Sequence, residues 1–166
     1  HKAEYAARRR AAYDTPFAIG GHPKPTRTAL DVADSERRAA YESKWQEGGS
    51  ISFLYAYTDL LVNKESNDTA SEFVREKIRG IVKDKRTAEL LAPKDHPIGT
   101  KRLCLDTNYY ETYNRDNVAL IDVRSDPIDA ITPTGVRLKS GAAFELDAIV
   151  FATGFDAMTG ALREID

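Results

Sequence analysis

Two places in the chain combine residue types that can do chemistry. Lys101 and Arg102 stand side by side, after the turn-forming Gly99-Thr100 and before the apolar Leu103. An ammonium acts as a point charge on a phosphate, and the planar guanidinium beside it stays charged and organises an anion. The second place is the run DAIVFATG from Asp147 to Gly154, in which AIVFA is continuously apolar and ends in Thr153-Gly154. Small residues at the end of a buried strand let backbone approach a ligand closely. By residue types alone, a structural role outweighs a chemical one at both places.

Other arrangements that would name a reaction are absent. The sequence has no GxGxxG, no P-loop, no HExxH and no GxSxG. Its three histidines, His1, His22 and His96, are too scattered for a metal site. The single Cys104 excludes an internal disulfide framework and any CxxC spacing. It reads as packing beside a strand. The Arg8-Arg9-Arg10 run could grip phosphate, but a charge run on a helix is more often solvated.

The totals describe an ordinary protein domain. A length of 166 residues suits one domain with a sizeable core, or part of a larger unit. Hydrophobic content of 42%, charged content of 30% and a net charge of −2 give no basic excess for nucleic acid. No apolar run approaches a membrane span, and the N-terminus lacks a signal peptide's apolar segment. Together with the lone cysteine, this points to a reducing, cytoplasmic location. The start at His1 without Met and the end just after Met158-Thr159-Gly160 suggest a piece of a longer polypeptide.

The elements that must position these residues fall into two textures, with GTKRLCLD (99–106) between them. The first half is helical. Lys2 to Tyr13 is Ala-rich and predicts a helix, and Asp14 to Thr28, with Pro16, Pro23, Pro25 and Gly20-Gly21, predicts a loop. Asp34, Ser35 and Glu36 supply a cap and an acidic first turn for a helix that carries Tyr41 and Trp45 on one face and stops at Gly48-Gly49. Ile51 to Val62 is dense in apolar and aromatic residues, including Phe53, Tyr55 and Tyr57, and predicts a core helix, with pocket lining as the minority reading. Thr69 to Glu72 has the form of a capping box, although the helix could begin near Asn63. Ala70, Val74, Ile78, Ile81 and Val82 then recur at the helical period. Arg86 to Leu91 predicts a short helix ended by Pro93.

The second half reads as strands. Thr107 to Asn114 carries three tyrosines, and Asn114-Arg115-Asp116-Asn117 breaks any helix before a strand at Val118 to Val123. Pro127 to Ile131, Val136 to Leu138 and Phe144 to Phe151 predict further strands in a meander, with turns at Thr132 to Gly135 and Lys139 to Gly141.

Read together, the stretches KWQEGGSISFLYAYTDLL, FVREKIRGIVKD, IGTKRLCLDTNYYETYNRDNVALIDV, ITPTGV and LDAIVFATGFDAMTGAL resemble the Baeyer-Villiger flavin monooxygenases of the cyclohexanone and phenylacetone monooxygenase type. The resemblance covers most of the chain. It implies an α/β fold, α+β within this segment, drawn from an architecture with two dinucleotide-binding domains for FAD and NADP. Residues 1–98 would be a helical insertion of the NADP domain, 99–151 its later part with the β-meander, and 152–166 the hinge returning to the FAD domain. The family's GxGxxG fingerprints would lie upstream and its last FAD segment downstream, so this piece alone should not hold FAD.

The resemblance also implies an activity. NADPH reduces FAD, the reduced flavin activates O2, and one oxygen atom is inserted beside a ketone carbonyl to give an ester or lactone. Arg102 matches the family's arginine at the flavin, where a fixed guanidinium suits negative charge on the reacting oxygen. Lys101 matches the lysine that contacts the 2′-phosphate of NADP, and Thr153 and Gly154 match the cofactor-proximal hinge. The partners implied are a small ketone and O2, with neither nucleic acid nor membrane. Two alternatives stay open: a related flavoprotein that oxygenates nitrogen or sulfur, and a helical and β binding module without catalysis.

Overall fold

In a computed structural model of the chain, residues 2–13, 25–48, 50–104 and 106–154 are described. The expected loop around His22, the Gly49 half of the glycine stop and residues 155–166 lie outside them. Among the described residues the content is mixed: six helices and three strands, α1 (Lys2–Tyr13), α2 (Asp34–Glu47), α3 (Ser50–Leu54), α4 (Lys64–Ile81), α5 (Lys85–Leu91), α6 (Tyr109–Thr112), β1 (Ile128–Thr132), β2 (Gly135–Leu138) and β3 (Ala143–Glu145). Among the described residues no helix is long and apolar enough to cross a membrane. The chain forms two compact units, His1–Leu120 and Ile121–Asp166.

The core of the first unit is aromatic. Tyr41 from α2 meets Phe53 at 5.6 Å and Phe73 at 5.5 Å between ring centres, and Phe53 stacks on Phe73 at 5.9 Å. Tyr57, Leu60, Ala70 and Ile98 complete the same cluster, and Trp45 packs against its edge. Such offset and tilted pairs add to the hydrophobic gain from burial. A second cluster, Ile78, Val82 and Ala88, seals α4 to α5. The apolar period read from Ala70 to Val82 is thus a buried stripe, while Arg9 and Arg10 of α1 are exposed.

The start of α4 is the earlier of its two expected positions, and that of α2 differs from expectation. α4 begins at Lys64, with the Asn63 side chain accepting from the Ser66 amide at 3.0 Å. Thr69 therefore lies inside the helix, where its hydroxyl bonds the Ser66 carbonyl and faces the Tyr41 hydroxyl at 2.8 Å. In α2 the cap position is Ala33, without a side-chain bond, and Asp34 is the first helical residue. α5 follows the rule, with Asp84 accepting from the Thr87 amide at 2.8 Å.

The helix expected over Ile51 to Val62 ends at Leu54. Beyond it, long-range partners claim the backbone. The amide and hydroxyl of Thr58 donate to the Arg27 carbonyl at 3.0 and 3.2 Å, and the Asp59 carboxylate accepts from the Ala29 amide at 2.9 Å and the Ser66 hydroxyl at 2.5 Å. Burial of Phe53, Tyr57 and Leu60 survives, but Leu61 and Val62 are exposed.

The second unit holds the meander, antiparallel in the order β1-β2-β3. Arg137 of β2 donates to Asp129 of β1 at 3.0 and 2.8 Å on the outer face. Asp126 accepts from the amide and hydroxyl of Ser140, tying the β2–β3 turn to the entry of β1. Of the other expected strands, Val118 to Val123 is irregular, and the run Phe144 to Phe151 is a strand only as far as Glu145, within β3. Val150 and Phe151 are 87% and 72% exposed. A strand exists only with a ladder partner. The described residues provide none for these runs, whose continuous apolarity is that of strands covered on both faces.

Candidate functional site

The Lys101-Arg102 pair is held at a turn whose two flanks enter the first core. Upstream, Ile98 is buried, and its backbone is gripped by Asn67 of α4. The Asn67 Nδ2 donates to the Ile98 carbonyl at 2.8 Å, and its Oδ1 accepts from the Ile98 amide at 3.0 Å. Gly99 then turns at φ 88°, where a Cβ would meet Leu61 Cδ2 at 2.5 Å and Leu54 Cδ1 at 3.2 Å. That dihedral favours glycine, and a Cβ there would displace the ends of the Leu61 and Leu54 side chains. The Thr100 amide closes the turn on the Pro97 carbonyl at 3.2 Å. Downstream, Leu103 packs back against the aromatic cluster.

Between these anchors Lys101 and Arg102 are exposed, and neither makes an ion pair among the described residues. Two adjacent uncompensated cations fit an anionic group such as a cofactor phosphate. They sit in irregular chain. Cys104 is exposed too, its thiol turned toward the Arg102 carbonyl at 3.9 Å, which corrects its reading as a packed residue.

Thr153 and Gly154 belong to the second unit, where both are exposed and outside regular structure. Gly154 has φ 87° and open space where a Cβ would stand, so its backbone is approachable from outside. The two pairs of candidate residues thus lie in different units, each described in its own frame. Among the described residues no group of three His, Cys, Asp or Glu could hold a metal ion. His96 pairs with its neighbour Asp95 at 2.6 Å.

Residues beyond those read from the sequence support the turn. Asn67 belongs to no motif, and its signal in the sequence is a carboxamide on the apolar stripe one turn before Ala70 and Ser71. Asn114 grips the end of α4, donating to the Ile81 carbonyl and accepting from the Lys83 amide, both at 2.8 Å. Beside it, Tyr113 donates to the Tyr109 hydroxyl at 3.0 Å. Burial first, and that hydrogen bond second, push the Tyr113 phenol up to about 12.

The comparisons with known proteins bear on this arrangement. No protein-family model matches the chain. A 2-oxo-Delta(3)-4,5,5-trimethylcyclopentenylacetyl-CoA monooxygenase of Pseudomonas putida is 50% identical over 153 residues, 92% of this chain and 27% of that protein. A Baeyer-Villiger monooxygenase of Pseudooceanicola batsensis is 45% identical over 151 residues, 90% of this chain and 27% of that protein. Among solved structures, OTEMO in complex with FAD and NADP superposes with a TM-score of 0.91 at 46% identity, covering 99% of this chain and 30% of that one. The chain spans about 27% of the length of the curated relatives it matches. Over the segment that it spans, in sequence and in backbone alike, the chain is similar to Baeyer-Villiger monooxygenases.

Proposed function

We propose that the protein containing this chain is an FAD- and NADPH-dependent Baeyer-Villiger monooxygenase. In the overall reaction a ketone, O2, NADPH and a proton give an ester or lactone, NADP+ and water. One oxygen atom enters the carbon skeleton and the other leaves as water. The observation that carries this reading is the Lys101-Arg102 pair, exposed and without ion-pair partners at a turn anchored on both sides, in a chain matched along nearly its whole length by such enzymes.

The residues divide the work by their chemistry. Lys101 presents a compact ammonium to the 2′-phosphate of NADP and so selects NADPH over NADH. Arg102 presents a guanidinium to the negative charge that develops on the reacting oxygen, where a donor already in place contributes most because nothing must reorganise. Bound FAD would accept hydride from NADPH and activate O2. Thr153 and Gly154 would stand near bound flavin, where the open backbone of Gly154 would allow close approach. Residues 1–98 form the helical insertion of the NADP domain, 99–151 its later part and 152–166 the return to the FAD domain. The partners are a small ketone and O2. The net charge of −2 offers nothing to nucleic acid, and the lone cysteine accords with the cytoplasm.

The test is turnover by the full-length, FAD-loaded protein, with product analysis. Ester or lactone formation coupled to NADPH consumption, lost in Arg102→Ala with FAD still bound, is the expected result. Formation of N-oxide or sulfoxide with ketones untouched would replace this reading with the related oxygenases. A full-length protein without flavin would replace it with a binding module.

A further inference from the structure

We propose that Asn67 is a positioning residue for the Lys101-Arg102 pair. It fixes the backbone from which the two cations reach an anionic cofactor group. This inference rests on the functional reading above and extends it to a residue remote from the chemistry.

Asn67 is 4% exposed, on the core face of α4. Its Nδ2 donates to the carbonyls of Leu60 at 2.7 Å and Ile98 at 2.8 Å, while its Oδ1 accepts from the Ile98 amide at 3.0 Å and the Ser71 hydroxyl at 3.1 Å. Two donors and two lone pairs are the whole capacity of a carboxamide, and all are used. Toward Ile98 the side chain acts as a neighbouring strand would, engaging both N–H and C=O. An apolar residue would fill the same stripe of α4 without the cost of burying an amide. What the carboxamide adds is direction, because a fully satisfied buried polar group admits one arrangement of its partners.

That direction is transmitted over a short path. Ile98 is pinned by Asn67, Gly99 is pressed against Leu61 and Leu54, and Thr100 closes on Pro97. Lys101 follows at once, and Leu103 returns to the core. Only residues 100–102 stand free of the core between the two anchors, so a shift at Ile98 reaches both cations. Misplacement of a binding group by about 1 Å is enough to cost up to about 100-fold in turnover.

The experiment uses the full-length, FAD-loaded protein carrying Asn67→Ala, with Val82→Ala in the second cluster as a control that loosens α4 away from the turn. Amide exchange at Ile98, NADP+ affinity by calorimetry and the NADPH-to-NADH preference are measured. Asn67→Ala is expected to speed Ile98 exchange and weaken NADP+ binding by about tenfold or more, the range for losing a charge-assisted contact. Val82→Ala is expected to lower stability while leaving both unchanged. If Asn67→Ala does not fold, Asn67→Ser, which leaves room for a water, carries the same expectation. Stability loss with NADP+ affinity and cofactor preference equal to the control overturns the positioning role, provided Lys101→Ala does weaken binding. If Lys101→Ala leaves NADP+ binding intact as well, the reading of Lys101 as the phosphate contact falls and the positioning role with it.

Discussion

The Arg79 guanidinium donates through Nε to Glu89 Oε1 at 2.6 Å, joining the last turn of α4 to α5. Glu72 takes the same guanidinium from the other side at 2.6 Å, and Lys94 reaches Glu89 at 2.6 Å. These partners hold the Glu89 carboxyl well below its ordinary range, at about 2, with the hydrogen bond to Arg79 as the largest cause and that to Lys94 second. Glu72 is lowered as well, chiefly by Arg79.

The direction of those shifts sets an acid dependence. A carboxyl whose folded pKa is lowered contributes stability that is complete above its unfolded value, near 4.5, and is lost as pH falls through about 2. Helical circular dichroism of α4 and α5 should therefore hold from neutral pH down to that unfolded value and weaken below it. In Arg79→Ala the Glu89 carboxyl, followed by NMR, should titrate at higher pH, while the remaining Lys94 contact keeps it below its ordinary range. The effect on global stability should be small, because the groups are solvated and screened.

If the proposed function holds, the two cations should divide binding from turnover. Lys101→Ala should lower the preference for NADPH over NADH by about 10-fold or more, the equivalent of losing one hydrogen bond to a charged group. Arg102→Ala should lower ester-forming turnover by about 100- to 1,000-fold, the range for removing a preorganised charge stabiliser. Steady-state kinetics with each cofactor, on protein with matched FAD content, checks both.

The phenol of Tyr113 makes an alkaline counterpart. Burial and the Tyr109 hydroxyl raise it to about 12, so its contribution to stability is complete below the unfolded value, 10.0, and is lost as pH rises through about 12. Burial also delays Tyr41, Tyr57 and Tyr110, so the Tyr113 phenol should be followed individually by NMR, where Tyr109→Phe should bring its ionisation earlier.

Two glycines of the meander should respond unequally. A Cβ on Gly135 would lie 1.9 Å from the Phe144 carbonyl oxygen, inside the β2–β3 ladder. Gly135→Ala should break that pairing and cost more than the ~1–3 kcal/mol of a strained dihedral. Gly141, with φ 91° and open space around its Cβ position, should cost only that strain when changed to Ala. Denaturant unfolding followed at Phe144 separates the two.

Asp59 should be among the costly polar positions of the first unit. It bonds the Ala29 amide and the Ser66 hydroxyl across the chain, and Asp59→Ala leaves both partners without it. A loss of about 1–3 kcal/mol is expected from equilibrium unfolding.

Much of this protein is written locally. α1, α5, the apolar stripe of α4 and the three strands of the meander were legible because each rests on interactions between residues three or four apart, or on one two-residue turn. Lys101 and Arg102 were legible too, as two cations following a turn, and Thr153-Gly154 as small residues ending an apolar run. Val118 to Val123 and Leu146 to Phe151 misled for a physical reason: apolarity marks a segment for burial in a sheet, but only a neighbouring strand makes it one. The helix from Ile51 likewise gave way at Leu54 because Thr58 and Asp59 found partners about thirty residues away. By itself the sequence determined the periodic elements, the family resemblance and the candidate cations. Only the tertiary structure decided what holds those cations, since Asn67 and Ile98 meet across a separation of 31 residues and no local pattern encodes which distant backbone a buried carboxamide will bond.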